Sequence, residues 1–149
     1  MMSEVLIDTN VVVYAYDVRD RDKQQRALEV LRRLVADGRG RLSAQVLGEF
    51  LRVATQKLDP PLTPGEAVEQ AGNLAASWPV VPITAFIVLE AGRGVEAHRL
   101  SYWDAQLWAT ARLNQIEIVL SEDFADGRLI DGVRFRNPFT AAFDLAALG

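Results

Sequence analysis

Short apolar runs alternate with amphipathic segments along the chain, and the first run ends on an acid. Val5-Leu6-Ile7 is aliphatic and partly β-branched, as a buried strand requires, and Asp8-Thr9-Asn10 follows at once. Val11 to Tyr16 stays apolar and continues as a buried short helix or loop. Asp20 or Asp22 caps a helix running to about Val35, with Leu28, Leu31, Leu34 and Val35 on one stripe and Asp37-Gly38 closing it. Arg41-Leu42-Ser43 is briefly extended before a second helix, about Ala44 to Lys57, and Pro60-Pro61 forces a loop.

Thr63-Pro64-Gly65-Glu66 has the form of a capping box and opens a helix to about Ser77. Pro79-Val80-Val81-Pro82-Ile83 reads as a short strand near a sheet edge, since proline cannot donate to a ladder. Thr84 caps a helix to around Gly92 or Gly94, and Ser101-Tyr102-Trp103-Asp104 begins another that reaches Asn114. Ile116 to Leu120 is a strand followed by polar Ser121-Glu122-Asp123, and Val133-Arg134-Phe135 is a last short strand before Asn137-Pro138. Strands alternating with helices predict an α/β chain, its mostly parallel sheet covered on both faces. With no repeat, low-complexity tract or linker, residues 1–149 read as one domain.

Composition narrows the chemistry. The 149 residues are 50% hydrophobic and 24% charged, ordinary for a globular protein. No apolar run approaches the roughly 18–20 residues of a membrane span, and Met1-Met2-Ser3-Glu4 is unlike a secretory leader, so a cytoplasmic location is expected. The chain has no cysteine, which excludes disulfides, zinc–thiolate sites and thiol nucleophiles, and its single histidine, His98, excludes multi-histidine metal sites. A net charge of −4 argues mildly against a broad nucleic-acid footprint. The basic residues are mostly arginine, which suits bidentate phosphate contacts as well as surface ion pairs.

Four acids stand where acids are unusual. Asp8 and Asp123 each follow the end of an apolar strand, the rim where open α/β sheets place ligands. Asp8 also suits a helix N-cap, and Asp123 a turn, with Asp126 as its rival. Glu49 lies in a helix between Val46 and Val53 on its own face, and by itself it reads as a solvent-facing edge residue. Asp104 falls in a helical first turn, where it serves the macrodipole or a capping box with Ser101, yet Tyr102, Trp103, Leu107 and Trp108 surround it. Holding two carboxylates about 4 Å apart costs on the order of 4 kcal/mol at an effective dielectric of ~20. A divalent cation reverses that penalty, and oxygen-only ligands select Mg²⁺ or Mn²⁺.

In order along the chain, Leu6-Ile7-Asp8-Thr9-Asn10, Ser43 through Glu49-Phe50, Ser101-Tyr102-Trp103-Asp104-Ala105 and Leu120-Ser121-Glu122-Asp123-Phe124 resemble a PIN domain. Gly132-Val133-Arg134-Phe135 and Asn137-Pro138-Phe139 resemble its closing strand and tail, and the nearest likeness is to the VapC-type toxin ribonucleases of toxin–antitoxin pairs. The resemblance implies a three-layer α/β/α fold with a mostly parallel central sheet. It implies Mg²⁺- or Mn²⁺-dependent hydrolysis of RNA phosphodiester bonds, by water activated at the metal and attacking phosphorus in line. By position, Asp8, Glu49, Asp104 and Asp123 would be the catalytic and metal-binding acids, with Asp126 as a further candidate ligand. Asn10 and Ser121 would orient them through hydrogen bonds. A homodimer and a cognate antitoxin are the implied protein partners.

Other readings are a non-catalytic PIN-fold module that binds RNA or protein, and a metal-dependent phosphatase. The phosphatase pattern wants a second Asp two residues after the first, where this chain has Asn10. Trp103 and Trp108 are able to stack bases, but at helical spacing both are expected in the core. His98 is expected at the surface or a helix end.

Overall fold

Each strand is too short to be stable alone, and the six of them close one sheet between helices. The structure is a computed structural model that describes residues 3–148. The strands are β1 (Val5–Ile7), β2 (Gly40–Ser43), β3 (Val80–Val81), β4 (Ile118–Leu120), β5 (Leu129–Ile130) and β6 (Val133–Arg136). They lie in the order β3-β2-β1-β4-β6-β5, parallel throughout except for the β5–β6 hairpin. The chain therefore steps one way from β1 through β2 to β3, and the other way from β4. That reversal falls between β1 and β4, and crevices outside the carboxyl ends of strands open at such a switch point.

The helices are α1 (Thr9–Tyr14), α2 (Arg21–Asp37), α3 (Ala44–Gln56), α4 (Pro64–Ser77), α5 (Ala85–His98) and α6 (Tyr102–Leu113). Every one begins with a polar side chain that accepts a bond from a first-turn amide: Asp8, Asp20, Ser43, Thr63, Thr84 and Ser101. The predicted capping box is complete, because Glu66 also accepts from the Thr63 amide. Gly38 ends α2 at φ +70°, a conformation that glycine adopts without Cβ strain. Leu6, Ile7, Leu42 and Leu120 are wholly buried between helical layers whose largest core side chains are Phe50 and Trp108. Trp108 fits because α5 carries Gly94, where a Cβ would stand 2.6 Å from the indole.

The sequence reading needs four corrections. Val35 is half-exposed, and α2 buries Ala27 and Val30 along with the predicted Leu31 and Leu34. Helix α5 runs through Gly92 and Gly94 to His98, because the packing of α6 against it outweighs a cost of about 1 kcal/mol per helical glycine. Strand β4 starts at Ile118 rather than Ile116, after Gln115 adopts a positive φ of 55°. The β5–β6 hairpin was expected only in its second half, its turn being made by Asp131 and Gly132, both at positive φ.

Candidate active site

Asp8 ends β1 and caps α1, so the strand-end and helix-cap readings are both correct. Its Oδ1 accepts the Thr9 amide at 2.7 Å. Its Oδ2 accepts the Ser121 hydroxyl at 2.7 Å, which ties the end of β1 to the end of β4. Asn10 Nδ2 faces Asp8 Oδ2 at 3.3 Å and Asp123 Oδ2 at 3.2 Å, one amide between two carboxylates. Ser121 also accepts the Asp123 amide at 3.0 Å, and Asn10 Oδ1 accepts that of Glu122 at 3.3 Å. These bonds set the loop after β4 over the N-terminus of α1.

Glu49 reaches the same place from α3. It is half-buried rather than solvent-facing, and accepts Thr9 Oγ1 at 3.1 Å and Gln45 Nε2 at 2.8 Å. A cavity of about 280 Å³ opens between Asp8, Asn10, Tyr14, Glu49, Glu122 and Asp123. Asp104 comes from the first turn of α6, half-buried. Ser101 caps its amide, but the return bond that completes a capping box is absent.

Electrostatics link Asp8 and Asp104 each to Asp123 and Glu49. Burial, first, pushes the Asp8 carboxyl up to about 7; Ser121 and Thr9 oppose this, and the charges of Asp123 and Glu49 add to it. Asp104 is likewise raised, by burial first, with Ser101 opposing and Asp123 and Glu49 adding. None of Asp8, Glu49, Asp104 and Asp123 forms an ion pair among the described residues. Their neighbours differ. Glu122 is held by Lys23 at 2.9 Å and by the Tyr14 hydroxyl at 2.7 Å, and Asp17 by Arg19 at 2.9 Å. Asp126 accepts Arg136 Nε at 3.2 Å and the Asn137 amide at 2.9 Å, and neither it nor Asp104 lines the cavity.

No three His, Cys, Asp or Glu side chains among the described residues stand close enough to hold a metal ion as they lie. The donor set nonetheless suits a hard divalent cation: carboxylate oxygens, buried at Asp8, without a protein cation to neutralise them.

Residues 5–125 match the model of the PIN domain, and the chain belongs to that family. No curated protein matches it in sequence. Similar solved structures include the DNA-bound VapBC of Salmonella typhimurium, 15% identical over 92% of this chain and 99% of that one, with a TM-score of 0.66. A toxin–antitoxin complex from Klebsiella pneumoniae is 18% identical over 91% and 98%, with a TM-score of 0.68. Mycobacterium tuberculosis VapC20, described as a toxin that cleaves the sarcin–ricin loop, is 21% identical over 78% and 87%, with a TM-score of 0.61. These likenesses show a shared fold.

Sequence reasoning missed the polar chain that fixes Glu49. Tyr102 donates to Gln106 at 2.7 Å, Gln106 to Gln45 at 2.9 Å, and Gln45 to Glu49. Gln45 stands four residues before Glu49, a helical-neighbour spacing that offered the one available signal. Trp103, expected in the core, is 62% exposed, whereas Trp108 is fully buried as expected. His98 closes α5 and faces Asp131 Oδ2 at 3.0 Å, away from the acids.

Proposed function

We propose that this PIN-domain protein is a divalent-metal-dependent endoribonuclease, the toxin of a toxin–antitoxin pair. The carrying observation is that Asp8, Glu49 and Asp123 line one cavity without protein cations, with Asp104 likewise unpaired beside it, while Asp17, Glu122 and Asp126 are paired. Asp8, Glu49, Asp104 and Asp123 would hold Mg²⁺ or Mn²⁺. When bound, the ion supplies positive charge against the phosphodiester and makes water more acidic. The chain's own work is positional: Ser121 and Asn10 orient Asp8 and Asp123, and Gln45 with Thr9 orients Glu49. Burial at Asp8 lowers local water access, and that strengthens each charge interaction there.

The partners follow from the same likeness. The VapBC neighbours are complexes with an antitoxin, which supports an antitoxin for this chain, and a homodimer is the accompanying expectation. No helix of the described residues is long and apolar enough to cross a membrane, and a cytoplasmic location goes with the toxin reading, since its RNA substrate lies there.

The test is incubation of purified protein with single-stranded and stem–loop RNA, in EDTA and then in Mg²⁺ or Mn²⁺. Cleavage that requires the metal and vanishes in Asp8→Asn is expected; equal cleavage in EDTA would refute the assignment. The lack of a preformed three-carboxylate cluster favours a second reading, a PIN module that binds RNA or protein without cutting. Metal-independent RNA binding with no products under any divalent ion would select it.

A further inference from the structure

A second groove lies beside the acids, between the outer face of α3 and the start of α6. It has a volume of about 520 Å³ and is lined by Gln45, Gly48, Glu49, Arg52, Trp103 and Gln106. Glu49 lines both cavities, so the groove adjoins the proposed reaction centre.

Its features fit a nucleotide better than they fit the fold. Trp103 is 62% exposed, while Trp78 and Trp108 are buried, and a large exposed aromatic gains nothing for the chain that carries it. The ring is braced rather than loose, edge-on to Tyr102 at 5.1 Å, with its backbone carbonyl accepting Gln45 Nε2 at 3.1 Å. Arg52 is exposed and makes no ion pair with any described residue. Gly48 sits mid-helix, where glycine is unfavourable, and a Cβ there would meet nothing within 4 Å. The fold has no packing use for that missing side chain. Gly48 thus leaves the α3 side of the groove open.

We propose that this groove is a base-stacking subsite for an unpaired nucleotide of the RNA strand, with Trp103 as the stacking platform, Gly48 as the floor and Arg52 for a neighbouring phosphate. A stacked base uses only the π-face, so the site holds a flanking nucleotide without demanding one sequence. Arg52 contributes a salt-dependent contact that positions the backbone. The choice of RNA as occupant rests on the ribonuclease reading above.

The experiment follows tryptophan emission while a mixed-sequence single-stranded RNA 12-mer is added in EDTA, with cleavage of the same RNA in Mn²⁺ measured in parallel. Trp103 is the exposed indole, so stacking should quench emission in the wild type and leave Trp103→Phe almost unquenched. Trp103→Ala should bind about tenfold or more weakly, as expected for loss of one stacked base. A 12-mer with abasic positions should bind wild type as weakly as the intact RNA binds Trp103→Ala. Gly48→Leu should melt at or above the wild-type temperature yet bind RNA weakly, a combination that damage to the fold cannot produce. Wild-type affinity in Trp103→Ala, or quenching that persists in Trp103→Phe, overturns the subsite, and cleavage that persists in the same variant leaves the nuclease reading standing. Quenching lost in Trp103→Phe but no cleavage in any divalent ion overturns the nuclease reading instead. Emission that changes on dilution without RNA identifies a second copy of the chain as the occupant and overturns the proposal.

Discussion

Ser121 donates its hydroxyl to Asp8 Oδ2 across 2.7 Å, joining the ends of two adjacent parallel strands. The bond stabilises the ionised form of a carboxyl that burial pushes toward neutrality. Ser121→Ala removes that donor and leaves the Asp123 amide without its acceptor. Stability should fall by about 1–2 kcal/mol, the usual loss for a buried hydrogen bond. RNA cleavage should fall further, by roughly 10–100-fold, as for other residues that orient metal ligands. Urea denaturation and initial cleavage rates check both; an active variant with unchanged rate would remove Ser121 from the proposed machinery.

Asp8 predicts a stability profile that runs against the usual acid behaviour. Its folded pKa of about 7 lies above the unfolded value of 3.8, so the folded state binds the proton more tightly. In metal-free protein its contribution is therefore fully present below about pH 4 and is lost as pH rises through about 7. Ionised Asp8 at pH 8 should cost on the order of 2–4 kcal/mol, and Asp8→Asn should recover most of it while abolishing metal-dependent cleavage. Melting curves in EDTA from pH 5 to 8 measure this. A flat difference between wild type and Asp8→Asn across that range would contradict the shift.

Much of this site was legible because two separate signals met at single residues. Asp8 and Asp123 stand out as strand-end acids, and the order of strands then carries both to the switch point between β1 and β4. Asp104 stood out through its aromatic neighbours, and it is half-buried beside the cavity rather than in its lining. Glu49 could not be placed: helical spacing says which face a residue occupies, and only the packing of α3 on α1 says what that face meets. The Tyr102–Gln106–Gln45 chain was invisible for the same reason, since Gln45 and Gln106 lie 61 residues apart. Trp103 and Trp108 have identical chemistry on one helix, and their opposite fates depend on where α5 lies. Strand β5 escaped notice because two residues carry too little periodicity to detect.

Two glycines on one face-to-face helix pair should respond with opposite signs. Gly94 packs under Trp108, where a Cβ would stand 2.6 Å from Cζ3, and Trp108 is wholly buried. Gly94→Ala forces that ring to move and should destabilise by about 1–3 kcal/mol, the range for overpacking. Gly92 faces open space, so Gly92→Ala should stabilise by roughly 0.5–1 kcal/mol through helix propensity alone. Thermal melts of the two variants side by side test the α5–α6 packing; equal shifts would mean that Trp108 does not seat against Gly94.

Asp104 and Asp126 carry like charge and were both candidate metal ligands, but their surroundings differ. Asp104 is half-buried, unpaired, and raised partly by the charges of Asp123 and Glu49. Asp126 is exposed and occupied by Arg136 and by the Asn137 amide, which it uses to pin the segment after β6. Asp104→Asn should therefore reduce Mn²⁺-dependent cleavage by about a hundredfold or more, because a carboxylate that would hold the cation has no neutral substitute. Its metal-free stability should hold or rise, since a raised carboxyl is removed. Asp126→Asn should do the converse, keeping cleavage within about threefold and losing on the order of 1 kcal/mol with its charge-assisted bonds. Rates in Mn²⁺ and melts in EDTA separate the two cases. If Asp126→Asn lost activity as steeply as Asp104→Asn, the metal site would have to include the loop that Arg136 now holds away from it.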